Sequence, residues 1–66
     1  MPVAIGRFMR ESKSFYDKKS DMMITVQLWK NGEVRKVGDF GRDLGKSDMG
    51  YEELCQLYLA MGFEEL

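Results

Sequence analysis

The sequence predicts a small α+β domain, in which an antiparallel sheet built on a hairpin over 22–40 is covered by one C-terminal helix over about 48–61. Three observations carry this. Two β-branched, alternating runs flank Asn31-Gly32, a dipeptide that is the strongest short-range hairpin signal. Tyr51, Leu54, Cys55, Tyr58 and Met61 recur at the helical period. A two-stranded sheet is marginal in water, so a third strand is expected from the N-terminal third, giving βββα order.

That N-terminal third reads in two ways. Residues 3–9 suit the third strand. Ile5, Phe8, Met9 and Tyr16 also fit a helical stripe, which Gly6, Ser12 and Ser14 weaken. The strand is preferred, and αββα is the alternative. Met22 and Met23 are also candidate alternative starts.

In the hairpin, loop length decides which side chains share a face. A two-residue Asn31-Gly32 turn sets Leu28 against Arg35 and Ile24 against Asp39, mixing apolar and charged groups. A three-residue loop of Lys30, Asn31 and Gly32, with a left-handed Gly32, sets Leu28 beside Val34. One face then holds Met22, Ile24, Val26, Leu28, Val34, Lys36, Gly38 and Phe40. The other holds Met23, Thr25, Gln27, Trp29, Glu33, Arg35, Val37 and Asp39. Register follows the face that can be buried, so the longer, bulged loop is expected. Residues 38–47 read as a turn-rich connection.

For the helix, Ser47 and Asp48 are candidate N-caps, and Glu52 and Glu53 suit the positive end of its dipole. Gly62 is the expected left-handed stop, with Phe63 folding back on Tyr58. Leu57 and Leu59 widen the apolar arc to about 200°, where a helix on one sheet needs about 100°. Leu57, Leu59 and Met61 therefore form a candidate apolar face for a second copy or a partner.

Sixty-six residues make one domain, 1–66, with a thin core. Domains this small usually need a staple, and with Cys55 the only cysteine and no histidine, neither an internal disulfide nor a Cys/His metal cluster is available. No metal or other cofactor is expected; association with a partner is the staple left. One cysteine and no signal-like start argue for a cytoplasmic protein without a membrane segment. The net charge of −1 hides an asymmetry: residues 1–20 balance at +3 and residues 47–66 at −5. Such a difference marks a binding surface or steers the two ends together.

Chemistry-bearing motifs do not survive inspection. Gly41 and Gly45 with Lys46 and Ser47 approach a phosphate-binding loop, but three residues rather than four separate the glycines. A weaker reading keeps Gly45, Lys46 and Ser47 as an anion cradle at the helix start. Asp39-Phe40-Gly41 matches a kinase tripeptide without its accompanying motifs. Cys55 has no histidine to form its thiolate and lies on the apolar helix face. The sequence thus points to a non-catalytic binding module.

Two sets of contact residues stand out. Glu52, Glu53, Gln56, Glu64 and Glu65 make an acidic surface suited to a basic groove that otherwise holds a nucleic-acid backbone. Trp29 with Arg35, and Val37 beside them, falls on the sheet face away from the core, and Trp and Arg are enriched at binding hot spots. The small size, absent catalytic groups, over-wide helix and acidic C-terminal third are similar in general character to small phage-encoded anti-defence proteins, of which anti-CRISPR proteins are one group. That likeness is one of type, and it implies an inhibitor acting by steric blockade of a larger nucleic-acid-handling complex in the host cytoplasm. Two alternatives are a small dimeric DNA-associated regulator using its basic N-terminal segment, and a structural subunit of an assembly. Direct nucleic-acid binding fits a pI near 5.3 less well.

Overall fold

The computed structural model describes residues 9–66. Five strands form one antiparallel sheet: β1 (Met9–Asp17), β2 (Met22–Trp29), β3 (Val34–Val37), β4 (Asp43–Ser47) and β5 (Glu64–Glu65). Their spatial order is β4-β3-β2-β1-β5. One helix, α1 (Tyr51–Ala60), follows β4 and packs on one face. The predicted α+β architecture is present, with β1, β2 and β3 preceding the helix and two further short strands at the edges. The strand expected over 3–9 lies, apart from Met9, outside the described residues; the third strand is β1.

The hairpin adopts the bulged loop. Leu28 pairs with Val34, Gln27 with Arg35, Val26 with Lys36 and Thr25 with Val37. The Trp29 amide donates to the Glu33 carbonyl at 2.9 Å and the Gly32 amide to the Trp29 carbonyl at 2.9 Å. Gly32 takes φ +88°, and the Asn31 side-chain oxygen accepts from the Glu33 amide at 2.9 Å. Loop geometry and apolar patterning thus select the same register. Ile24, Val26 and Val34 are buried, and with Phe15 of β1 they line the helix side.

Against them, α1 buries Tyr51, Leu54, Cys55 and Tyr58, an i, i+3, i+4, i+7 stripe. Phe15 and Tyr58 lie at the centre, ring centroids 5.8 Å apart. Leu28, Met49 and Phe63 pack around the edge.

Four expectations need correction. The helix begins at Tyr51, and its N-cap is Gly50, not Ser47 or Asp48. Ser47 instead ends β4, its hydroxyl accepting from the Met49 amide at 3.1 Å, while Glu53 reaches back to the Gly50 amide at 3.4 Å. The connection over 38–47 contains β4, which pairs Ser47 with Val34, Lys46 with Arg35, Gly45 with Lys36 and Asp43 with Val37, leaving Leu44 as a bulge. Its backbone ladder forms without an alternating apolar pattern, so composition hid it. Gly45, Lys46 and Ser47 therefore belong to a strand and make no cradle at the helix start. Finally, Phe40 does not join the core face. β3 stops at Val37, and a single 3-10 turn at Asp39–Gly41 carries the chain away, so the two-residue period lapses. Phe40 takes φ 60°, ψ 27° there, a left-handed conformation that costs a bulky side chain about 1–2 kcal/mol.

The acidic tail is also structured. β5 pairs Glu65 with Phe15 and Glu64 with Tyr16, and the Leu66 amide donates to the Ser14 carbonyl at 2.9 Å. No helix among the described residues is long and apolar enough to cross a membrane.

Candidate functional site

Side-chain alternation sorts the sequence-predicted contact residues onto opposite sides of the sheet. On the helix side, Glu65 stands opposite Phe15, and Glu11 lies four residues away along β1 on the same face, opposite Leu28. Glu52 projects from the first turn of α1, with Gln56 one turn later; both are exposed. The charges of Glu11, Glu52 and Glu65 all act on the Tyr51 hydroxyl and the Cys55 thiol. Three acids from three elements therefore lie within electrostatic reach of the same two helix residues. Burial pushes Tyr51 up to about 12, and the neighbouring Cys55 and the acids add to the rise. Burial likewise raises Cys55, opposed by Lys13 and reinforced by the acids. A buried thiol held in its neutral form is a poor nucleophile.

Glu53 and Glu64 stand apart from this group. Glu53 turns towards the Gly50 amide. Glu64, on the other sheet face, lies 3.9 Å from Lys18 in an exposed pair. That pair and the β5–β1 ladder join the acidic end of the chain to its basic third. Sequence reasoning missed Glu11 as a site residue, counting it only as an acid offset by the bases of residues 1–20; strand alternation relative to Phe15 is the signal that places it. The basic residues meanwhile are dispersed: Lys13 faces the helix side, Arg10 sits at the bulge between Met9 and Glu11, and Lys18 and Lys19 sit in the β1–β2 turn.

On the open face, Trp29 and Arg35 do come together. They line a shallow groove of about 540 Å³ with Lys30, Asn31 and Glu33. The Trp29 indole N–H donates to the Gln27 side-chain oxygen at 3.2 Å. The Arg35 guanidinium donates to Glu33 Oε2 at 2.7 Å and Asp43 Oδ2 at 3.1 Å. The Arg35 hydrogen bond holds Glu33 below its ordinary value; the Gly45 amide, then Arg35, do the same for Asp43. Arg35 is thus clamped between two carboxylates and builds the groove wall, leaving the half-buried Trp29 ring as its apolar element. Val37, half-buried, lies on the same face.

The apolar face predicted on the helix is exposed as its width implied, with Leu57, Leu59 and Met61 at 41%, 39% and 60%. A second exposed apolar group was not foreseen: Phe40, Met22, Met23 and Leu44 cluster where β2 begins and β3 ends. Comparisons with protein-family models, with curated proteins and with solved structures found no match.

Proposed function

We propose that this chain is a non-catalytic protein-binding module whose acidic helix edge occupies a basic surface on a larger nucleic-acid-handling partner, blocking that surface sterically. The observation that carries the reading is that Glu11 and Glu65 stand on the helix side of the sheet and, with the exposed Glu52 of α1, act on the same two helix residues, Tyr51 and Cys55. Rigid elements hold these carboxylates, so little ordering entropy opposes their use. Lys13 faces the same side and offsets part of the negative charge; the remaining acidic excess favours a basic partner. Gln56 adds a neutral hydrogen-bonding group on the same exposed side. In this reading Glu53 and Glu64 act in helix capping and in the Lys18 pair rather than in the contact.

The test is affinity capture from host lysate with Glu52→Lys combined with Glu65→Lys as the control, since both side chains are exposed and neither caps the helix. The wild-type chain should retain a basic protein that added nucleic acid displaces, and the double variant should lose it. Identical capture by the two chains, or retention indifferent to nucleic acid, rejects the mechanism. The inhibitory, anti-defence character is tested in turn by asking whether the captured partner stops binding nucleic acid when the chain is present.

A further inference from the structure

Phe40 is shielded by nothing among the described residues: its relative exposure is 107%. It also sits in a left-handed backbone conformation that suits glycine better than a bulky residue. Neither feature serves the core. The ring forms part of the wall of a largely apolar groove of about 470 Å³, shared with Met22, Met23, Ile24, Gly38 and Leu44 and with the charged Asp39 and Arg42. Met22, Met23 and Leu44 are exposed at 43%, 37% and 42%. One surface therefore carries an aromatic knob and, next to it, an apolar hole.

Such a surface is complementary to itself, which is what a two-fold contact requires: each copy offers the same patch, and the knob of one meets the hole of the other. The charges agree. Asp39 and Arg42 flank Phe40 at either end of its turn. Asp39 accepts from the Met23 amide at 3.1 Å through Oδ1, which leaves Oδ2 available. Arg42 has no carboxylate within ion-pairing distance among the described residues. A two-fold arrangement can bring each copy's Arg42 to the other's Asp39 while Phe40 enters the groove. A foreign partner would have to match knob, hole and both charges separately; a second copy carries all four together. A chain this short, whose buried core among the described residues numbers eight, also stands to gain from an added apolar contact.

We infer that the chain forms a two-fold dimer through this surface, with Phe40 of each copy seated in the groove lined by Met22, Met23 and Leu44 of the other. The contact shares no residue with the acidic helix edge and stands independently of the function proposed above.

Light scattering coupled to size exclusion, over a wide concentration range, tests it. The mass should rise from the 7.7 kDa of one chain towards twice that value. Phe40→Gly should raise the dimer dissociation constant by roughly tenfold or more. Glycine takes the left-handed conformation without strain, so this variant should keep the circular dichroism and melting of a folded monomer. Arg42→Asp and Asp39→Arg should each weaken self-association, and mixing the two variants should restore it. A wild-type mass of one chain throughout overturns the inference, as does a Phe40→Gly dimer as tight as wild type. Loss of the dimer in Leu57→Glu with Met61→Glu, but not in Phe40→Gly, moves the contact to the helix and overturns it too.

Discussion

Phe63 packs on Tyr58 with ring centroids 5.1 Å apart, and its amide donates to the Tyr58 carbonyl at 3.0 Å. The Gly62 amide donates to the Leu59 carbonyl at 3.1 Å, and Gly62 holds φ +99°. This is a Schellman ending with its accompanying apolar contact. It reverses the chain so that β5 meets β1, and so it positions Glu65 beside the helix.

Truncating Phe63 should therefore loosen both the core edge and the tail. Phe63 is only half-buried, so Phe63→Ala should cost about 2 kcal/mol, below the full core value, and lower Tm by roughly 10 °C. The Leu66 amide, bonded to Ser14, should exchange faster than in the wild-type chain. An unchanged melting curve would show that the ring does not pack as described.

Tyr51 makes the opposite prediction. Its hydroxyl is buried and finds no hydrogen-bond partner among the described residues. An unsatisfied buried hydroxyl costs about 1–3 kcal/mol. Tyr51→Phe removes that cost while keeping the ring, so chemical denaturation should show a gain of about 1 kcal/mol. A loss of stability would mean that the hydroxyl has a partner.

The hairpin register, the helix and its glycine stop were legible because each rests on a local rule: loop length against apolar patterning, a 3.6-residue period, a left-handed glycine. β4 and β5 were not. Asp43, Gly45 and Lys46 offer no alternation, and Glu64-Glu65 reads as a solvated tail; both strands form because a neighbouring edge supplies a hydrogen-bond ladder. The site was legible in part for the same reason. Glu52, Gln56 and Glu65 were recognisable as acidic surface, but Glu11 joins them only once β1 is paired. Phe40 was assigned to the core face by carrying the two-residue period past Gly38, although the turn-rich run that begins there already signals the end of β3 at Val37.

The ion cluster around Arg35 should contribute to the acid limb of stability, alongside Asp17, which the Ser20 hydroxyl holds below its ordinary value. Glu33 and Asp43 have folded-state values depressed below their ordinary 4.5 and 3.8. Groups shifted downward contribute stability that is present above the unfolded value and lost as pH falls through the folded one. The contribution should thus be flat from neutral pH to about 5 and fall progressively below that, as pH passes through the depressed folded values. Trp29 lines the same groove as Glu33 and Arg35, so its fluorescence reports the change. Glu33→Gln with Asp43→Asn should flatten the acid limb of a Tm-against-pH profile. A profile with the same acid slope in that variant would assign the loss to other carboxylates.

Leu54 and Leu57 occupy the same helix three residues apart and should answer differently to truncation. Leu54 is 3% exposed and lies in the core; Leu57 is 41% exposed. Leu54→Ala leaves a cavity between α1 and the sheet and should cost about 2–5 kcal/mol. In a chain of this size that is a large share of the total, so a partly unfolded population is expected at 37 °C. Leu57→Gln removes surface that water already reaches, and its effect should stay within about 0.5 kcal/mol. The expected contrast follows from helix geometry alone: the sheet covers an arc of about 100°, and Leu57 falls outside it. Parallel urea titrations measure both. A Leu57 variant as destabilised as the Leu54 variant would show that something covers the outer helix face, through either the N-terminal residues or a second copy. Repeating the Leu57→Gln titration at several protein concentrations separates those two, because only association makes the midpoint depend on concentration.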